Sequence, residues 1–505
     1  MVSVMKKGTN HGLVVEHLEF NLENSVHFSD ISFSINPGEI VLLAGASGSG
    51  KSTLAGVLTG YYPESGGTLK SGTISVSGQD LLSMDNQESM RYISASFQNA
   101  RLAFAMENLY QELIFCLENK GFDPLLMDEM VKEHAKKTGV TELLERSFDV
   151  MSGGELQRAN FSCLEIIDPL VYILDEPFSN LDDQKANELQ ETILELKKQN
   201  KIILVIDHRL DRWKFVDRMM VLSRVGQLLE TNISLDPLST NDHLLLEQEG
   251  LLSELEKPLQ QADVSNNLEP IFQIENMTIE LGEYKTKWLK KTWHTDRILL
   301  KNGNMHIYPG ELIALEGKSG SGKSTIFQTI LGEYPFDGTM HMKDLKFNSK
   351  NRKGWLSQIG LIFQDPSLQF LTTSCFDELN IGVQAVYPEK TEEETKKLIT
   401  NLLKRHNLED QASTSPWLLS QGQQRRLAVL CMLIKGQRLL LVDEPTYGQD
   451  KQNALEIMNN LNELRQDGTS IIFTSHDHDL VKHYADRGYV LENQELIEVS
   501  YDRSH

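Results

Sequence analysis

One nine-residue string occurs twice in this chain with a single change, and it constrains the chain more than any other feature. Gly45-Ala-Ser-Gly-Ser-Gly-Lys51-Ser52-Thr53 returns as Gly317-Lys-Ser-Gly-Ser-Gly-Lys323-Ser324-Thr325, an offset of 272 residues. Other pairs follow in the same order. Phe97-Gln98 returns as Phe363-Gln364 (offset 266), Leu174-Asp175-Glu176-Pro177 as Val442-Asp443-Glu444-Pro445 (offset 268), and Asp207-His208 as Ser475-His476 (offset 268). Offsets that drift by only a few residues mark two homologous halves separated by small insertions. A chain of 505 residues has room for both as separate domains. The halves are placed at 13–230 and 271–500. The stretch 231–270, rich in Pro, Asn, Ser and Asp, reads as a linker carrying one short acidic helix from Leu244 to Glu256. Extra sequence in the second half, between Gly282 and Arg297, reads as an exposed loop.

Short apolar runs read as buried strands: Ile40–Leu43, Val171–Leu174 and Ile202–Ile206, then Leu312–Leu315, Leu439–Val442 and Ile471–Phe473. They alternate with amphipathic helical stretches such as Asn187–Lys198 and Ala454–Arg465. The alternation predicts an α/β fold around a largely parallel sheet in each half. Between each Gln and the later Ser-Gly motif lies a mostly helical stretch, Glu107–Glu145 and Phe376–Leu408, read as an inserted helical subdomain.

Both glycine-rich strings match G-x-x-x-x-G-K-[ST], each after a predicted strand and before a predicted helix. Glycines let a backbone wrap a phosphate and aim N–H groups at it, and the helix N-terminus adds its dipole. The candidate phosphate-binding residues are Gly45, Ser47, Gly48, Ser49, Gly50, Lys51, Ser52 and Thr53, and Gly317, Ser319, Gly320, Ser321, Gly322, Lys323, Ser324 and Thr325. Lys51 and Lys323 are expected on the β- and γ-phosphates, with Ser52 and Ser324 on Mg²⁺. Asp175 and Asp443 end apolar runs, so each sits at a strand's C-terminal end, where ligands bind in α/β sheets. They suit Mg²⁺, held through water. Glu176 and Glu444 follow directly and suit general bases that polarise an attacking water. His208 and His476 also follow apolar strands, where an imidazole can touch the terminal phosphate and the base.

The order of phosphate loop, glutamine, Ser-Gly signature, Asp-Glu and His resembles the ABC ATPase family, nearly the whole chain twice over. The signature stands as Met151-Ser152-Gly153-Gly154-Glu155 and Leu419-Ser420-Gln421-Gly422-Gln423. The family's common form is L-S-G-G-Q, so Glu155 and Gln421 are departures. The resemblance implies two cassettes, each with a RecA-like P-loop NTPase core, an antiparallel β subdomain and a helical subdomain, using ATP and Mg²⁺. It implies that the cassettes pair head to tail within the chain. The Lys51 loop would then meet Ser420, Gly422 and Gln423, and the Lys323 loop would meet Ser152, Gly153 and Gly154. Gln98 and Gln364 would link Mg²⁺ and water to a partner-binding groove. The family often stacks an aromatic on adenine just after the first strand. Leu22 and Leu281 stand there, and Phe20 or Tyr284 are the substitutes considered, with Phe20 weighed as core.

Gln364-Asp365-Pro366-Ser367-Leu368-Gln369, Phe376-Asp377-Glu378-Leu379 and Asp443-Glu444-Pro445-Thr446-Tyr447-Gly448-Gln449-Asp450 are similar to the energy-coupling factor type of importer ATPase. That resemblance implies an ATPase at the cytoplasmic face of the cell membrane. Its partners would be a transmembrane coupling subunit and a small membrane protein that captures a vitamin, vitamin precursor or metal ion. A tandem-cassette sugar importer ATPase and a soluble tandem-cassette translation factor remain alternatives. Composition bears on the second. Lys and Arg number 49 against 72 Asp and Glu, a net charge of −23, which disfavours nucleic acid. The densest basic stretch, Lys285 to Arg297, is short and interleaved with Trp288 and Trp293. Cys116, Cys163, Cys375 and Cys431 form no C-x-x-C pair, which fits a reducing cytosol. No signal-peptide pattern and no apolar run of about 18 residues occurs, so membrane contact is expected through partners.

Overall fold

The computed structural model describes residues 12–501 except 23–25, 47, 97–102, 179–180, 182, 237, 253–268, 288–289, 319, 447–448, 450 and 467. For residues 26, 183–184, 283–287, 290–294, 296, 421 and 435 it describes the backbone alone. The chain divides into two compact units, Met1–Ser253 and Glu254–His505.

In the first unit, Ile40–Ala44, Val171–Asp175 and Ile202–Ile206 are buried at every residue, as strands covered on both faces must be. They lie in a six-stranded sheet ordered Leu228–Ile233, Arg218–Leu222, Ile40–Ala44, Ile202–Ile206, Val171–Asp175, Ile93–Ser96. All pairs are parallel except the antiparallel edge pair of Leu228–Ile233 with Arg218–Leu222. The second unit repeats the order: Glu495–Val499, Arg487–Glu492, Leu312–Glu316, Ser470–Phe473, Leu439–Val442, Ile359–Ile362. Each unit adds a four-stranded antiparallel sheet, built on Leu13–Leu22 in the first and Phe272–Lys287 in the second. The helix after the phosphate loop, Lys51–Leu58 or Lys323–Ile330, packs its apolar residues between the two sheets. The predicted helical insertions form helices Leu109–Asn119 and Pro124–Lys137, and Cys375–Val386 and Glu392–Arg405.

Two expectations change. Of the segment from Gly282 to Arg297, the described residues 282–287 and 290–297 are strand, not loop. Pairing continues from Leu281↔Arg297 and Gly282↔Thr295 to Lys287↔Lys290. Once a hairpin register is set, each further antiparallel pair adds ladder hydrogen bonds, and Thr286, Thr292, Trp293 and Thr295 favour strand. The strand Leu228–Ile233, which runs into the expected linker, and a helix over Thr240–Gln248 inside it belong to the first unit's compact structure. Ser239 caps that helix by accepting the Asp242 N–H at 3.2 Å. Leu246 and Leu251 bury themselves in the first unit's core. The helix ends at Gln248, short of the expected Glu256: residues 249–252 are turn and bend, and 253–256 lie outside the described residues.

A polar lock recurs in both units and ties the central strand to its neighbour. Asp217 accepts the Ile40 N–H at 2.8 Å, and Asp486 accepts that of Leu312 at 2.9 Å. Arg218 pairs with Glu39 at 2.5 Å, and Arg487 with Glu311 at 2.9 Å. The locks differ in depth. Asp217 meets a partly exposed Lys197 at 2.6 Å, whereas Asp486 meets Arg465 at 3.0 Å with only 6% and 5% of the Arg465 and Asp486 side chains exposed. Removing one partner of a deep pair leaves an uncompensated charge. We therefore expect Asp486→Ala to cost about 3–5 kcal/mol. Asp217→Ala should cost about 1–2 kcal/mol. Urea unfolding of the full chain checks this, and equal costs would contradict it.

Candidate functional site

Each phosphate loop joins a buried strand to a helix whose first residue is the lysine. Gly50 and Gly322 precede the helices with φ of 96° and 106°, a left-handed conformation in which a side chain is strained. A Cβ on Gly322 would also come 2.1 Å from Leu299 Cδ1. Neither glycine offers a side-chain cap, so the helix N-terminal N–H groups are left for an external acceptor. Lys51 Nζ donates to the Gly45 and Ala46 carbonyls at 2.7 and 2.9 Å. Lys323 Nζ donates to those of Gly317 and Lys318 at 2.8 and 3.3 Å. Both ammonium groups therefore lie folded back along their own loops. Ser49 Oγ and Ser321 Oγ are buried without a hydrogen-bond partner among the described residues. Gly48 and Gly320 also have positive φ. Thr53 and Thr325 lie in the first helical turn. Ser47 and Ser319 lie outside the described residues.

At the strand ends the acids meet the loops. Asp175 is hydrogen-bonded to Ser52 and Asp443 to Ser324. Burial pushes the Asp175 carboxyl up to about 7, against the pull of Ser52 and Lys51, while Glu176 and Asp207 push it further. Burial likewise raises Asp443, opposed by Ser324 and Thr474. Asp175 Oδ2 is buried without a partner among the described residues. A raised, under-satisfied carboxylate beside a serine hydroxyl fits a hard divalent cation, which takes oxygen ligands and shares them with phosphate and water. Ser52 with Asp175, and Ser324 with Asp443, are thus the residues that can hold Mg²⁺.

Glu176 and Glu444 have φ of 49° and 46°, strained for a side-chain-bearing residue. Their amides are anchored. Glu176 N–H donates to Ile206 O at 2.8 Å, and Glu444 N–H to Thr474 Oγ1 at 2.8 Å. Each carboxylate reaches its histidine: His208 Nδ1 lies 3.1 Å from Glu176, and His476 Nε2 lies 3.0 Å from Glu444. Gln364 Nε2 donates to the other Glu444 oxygen at 2.9 Å. Burial alone would push the His208 imidazole down, but Glu176 and Asp207 raise it above its usual value. Burial would push the Glu444 carboxyl up, yet His476, Lys323 and Arg425 hold it below the usual range. An ionised carboxylate is a ready acceptor for the proton of an attacking water. The second unit thus gathers Lys323, Ser324, Gln364, Asp443, Glu444 and His476. The first gathers Lys51, Ser52, Asp175, Glu176 and His208, while Gln98 lies outside the described residues.

The signature residues begin the helices Gly153–Ile167 and Gln421–Lys435. Ser152 with Glu155, and Ser420 with Gln423, form capping boxes there, and Gly153, Gly154 and Gly422 sit in the first turns. Three interactions escaped sequence reading. Arg425 Nη1 donates to the carbonyls of Glu444 and Pro445 at 2.6 and 2.7 Å, tying the signature helix to the strained glutamate. Glu112 accepts the amides of Ala105 and Met106 at 2.9 and 2.8 Å, and Glu378 those of Leu371 and Thr372 at 2.9 and 2.8 Å. These glutamates hold the segments that follow Gln98 and Gln364. The repeated Glu-Leu in an apolar helical stretch was the available signal. Phe20 is fully buried against Phe28 and Tyr62, so it is core and does not face a base.

The family model for ABC transporters matches residues 28–179 and 300–447. YkoD of Bacillus subtilis (strain 168), whose name provisionally assigns it as an HMP/thiamine import ATP-binding protein, is 32% identical over 505 residues, covering 96% of this chain and 90% of YkoD. A protein of Methanosarcina acetivorans, named provisionally as an ABC transporter ATP-binding protein, is 28% identical over 484 residues, covering 94% of this chain and 87% of its own length. Among solved structures, a chain from the complex of archaeal ribosomal stalk protein aP1 with ribosome recycling factor aABCE1 matches with a TM-score of 0.60. It is 18% identical, with 96% of this chain and 90% of that chain covered, a likeness of fold alone. With two matched cassettes and two loops of the same build, this chain belongs to the ABC transporter family, as an ATP-binding protein that uses ATP and Mg²⁺.

Proposed function

We propose that this ATPase powers solute import through separate membrane subunits of the energy-coupling factor type, and that both of its sites hydrolyse ATP. The observation that supports two working sites is that each unit joins a phosphate-loop lysine, a Ser–Asp pair and a Glu–His pair at the ends of its parallel strands. In the proposal, Lys51 and Lys323 leave their loop carbonyls and neutralise the β- and γ-phosphates. Glu176 or Glu444 accepts the proton of a water that attacks the γ-phosphorus, and the bond to ADP breaks. His208, His476, Gln98 and Gln364 orient that water and the base. Mg²⁺, when bound, neutralises the phosphate oxygens. Ser420, Gly422 and Gln423 are proposed to contact ATP held by the Lys51 loop. Ser152, Gly153 and Gly154 are proposed to contact that held by the Lys323 loop.

No helix among the described residues is long and apolar enough to cross a membrane. The proposal places the path across the bilayer in a transmembrane coupling subunit and a small substrate-binding subunit, with this chain docked peripherally at the cytoplasmic face. Exposed apolar side chains beside the segment after Gln364 support that docking: Leu368 (72% exposed), Leu371 (77%) and Leu418 (79%). The name of YkoD supports a vitamin or vitamin-precursor cargo. The test is purification from detergent-solubilised membranes. Polytopic partners should co-purify in fixed ratio and be lost from a Leu371→Asp, Leu418→Asp variant that still hydrolyses ATP. Ribosomes in their place, or partners indifferent to the two substitutions, would overturn the reading.

A further inference from the structure

The first signature carries a carboxylate where the family has an amide. Glu155 sits in the first turn of its helix with a partly buried side chain, 27% exposed. Its Oε2 accepts the Ser152 N–H at 2.8 Å and the Ser152 hydroxyl at 2.9 Å. A fixed anion at this turn opposes binding of a triphosphate, since like charges at such range repel strongly once water is excluded. The structure supplies a counter-charge. Arg146 Nη1 lies 2.5 Å from Glu155 Oε1, and its Nη2 lies 3.3 Å from Oε2, so the guanidinium grips both oxygens. Burial pushes the Glu155 carboxyl up, but Arg146 and the Ser152 amide and hydroxyl outweigh it, so the group is ionised at neutral pH.

The second unit uses neither charge. Ser147 and Ser415 each precede a matching short 3-10 turn, Phe148–Val150 and Pro416–Leu418, so the six residues leading to Ser152 and Ser420 align without a gap. In that alignment Thr414 stands for Arg146 and Gln423 for Glu155. Gln423 makes the same capping box with an uncharged oxygen, accepting the Ser420 N–H at 3.0 Å. Fold therefore needs neither the arginine nor the carboxylate at these positions. A partly exposed ion pair of this kind adds little stability by itself, about 0–1 kcal/mol.

We propose that Arg146 is a positioning residue for nucleotide binding, which neutralises Glu155 and so makes the first signature turn acceptable to the phosphates of ATP. The inference rests on the reading above, in which Ser152, Gly153 and Gly154 contact the nucleotide of the Lys323 loop.

The test uses the full chain and photolabelling of the half that carries Lys323 by 8-azido-ATP with Mg²⁺, titrated at low and at high salt. Arg146→Thr should raise the half-saturating concentration about tenfold at low salt, and less at high salt because salt screens the partly exposed carboxylate. Adding Glu155→Gln to Arg146→Thr, which installs the second unit's own pair, should return it to within about threefold of the parent. Thermal unfolding of each variant separates a folding defect from an electrostatic one. No effect of Arg146→Thr, or an effect that Glu155→Gln does not relieve, would overturn the inference. Gly154→Asp guards the underlying reading. If it too leaves labelling unchanged, the signature does not face the nucleotide and the functional reading fails. If it weakens labelling while Arg146→Thr does not, only the role of Arg146 fails.

Discussion

Replacing Glu176 and Glu444 together by Gln should lower ATP turnover by about 10²–10⁴-fold while ATP stays bound. The amide keeps the size of the carboxylate and loses its ability to take a proton. Both positions are held at positive φ with their amides anchored, so the substitution leaves the backbone in place. The single variants should not be equal. What sets Glu444 apart is the Arg425 grip on its carbonyl. The position that matches Arg425 in the first unit is Gln157, which carries no charge. Glu444→Gln is therefore expected to cost more turnover than Glu176→Gln. Phosphate release and retained nucleotide, measured on the same preparations, check both statements. Parent-like turnover in the double variant would remove the assignment of the base.

Lys51→Ala and Lys323→Ala should each abolish tight binding at one nucleotide site and spare the other. Each ammonium now donates to two carbonyls of its own loop and would exchange them for phosphate oxygens. Charge-assisted bonds of this kind contribute about 1.5–3 kcal/mol, or roughly 10–150-fold in affinity. Lys323 is the more deeply buried, and desolvation lowers its pKa against the pull of Glu444 and Asp443. Its loss should also let the Glu444 carboxyl rise, since Lys323 is one of the charges that hold it down. Equilibrium dialysis with labelled ATP reads the change. Loss of both sites in either single variant would contradict independent loops.

Much of this was legible in the chain because it rests on local chemistry. Gly50 and Gly322 are glycines since a left-handed turn must precede the helix there. Ile40–Ala44 and Leu439–Val442 are continuous apolar runs since both faces are covered. The misses share a different cause. The segment Gly282–Arg297 reads as loop because it is extra sequence in the second half, but pairing with a register set far down the hairpin makes its described residues 282–287 and 290–297 strand. The helix at Thr240 is positioned by Leu246 and Leu251 finding the first unit's core, a tertiary contact that composition does not carry. Arg425 and Arg146 look like ordinary surface arginines in the sequence. Their roles arise only when Glu444, 19 residues away, and Glu155, 9 residues away, are brought beside them.

The claim beneath these expectations is that one chain carries two complete magnesium–nucleotide sites. The most direct measurement is the stoichiometry of Mg²⁺-ATP bound to the Glu176→Gln, Glu444→Gln chain at saturation. Two nucleotides per chain, falling to one with either Lys→Ala substitution, is the expected result. A plateau at one nucleotide, or two that persist when Lys51 and Lys323 are both replaced, would contradict it.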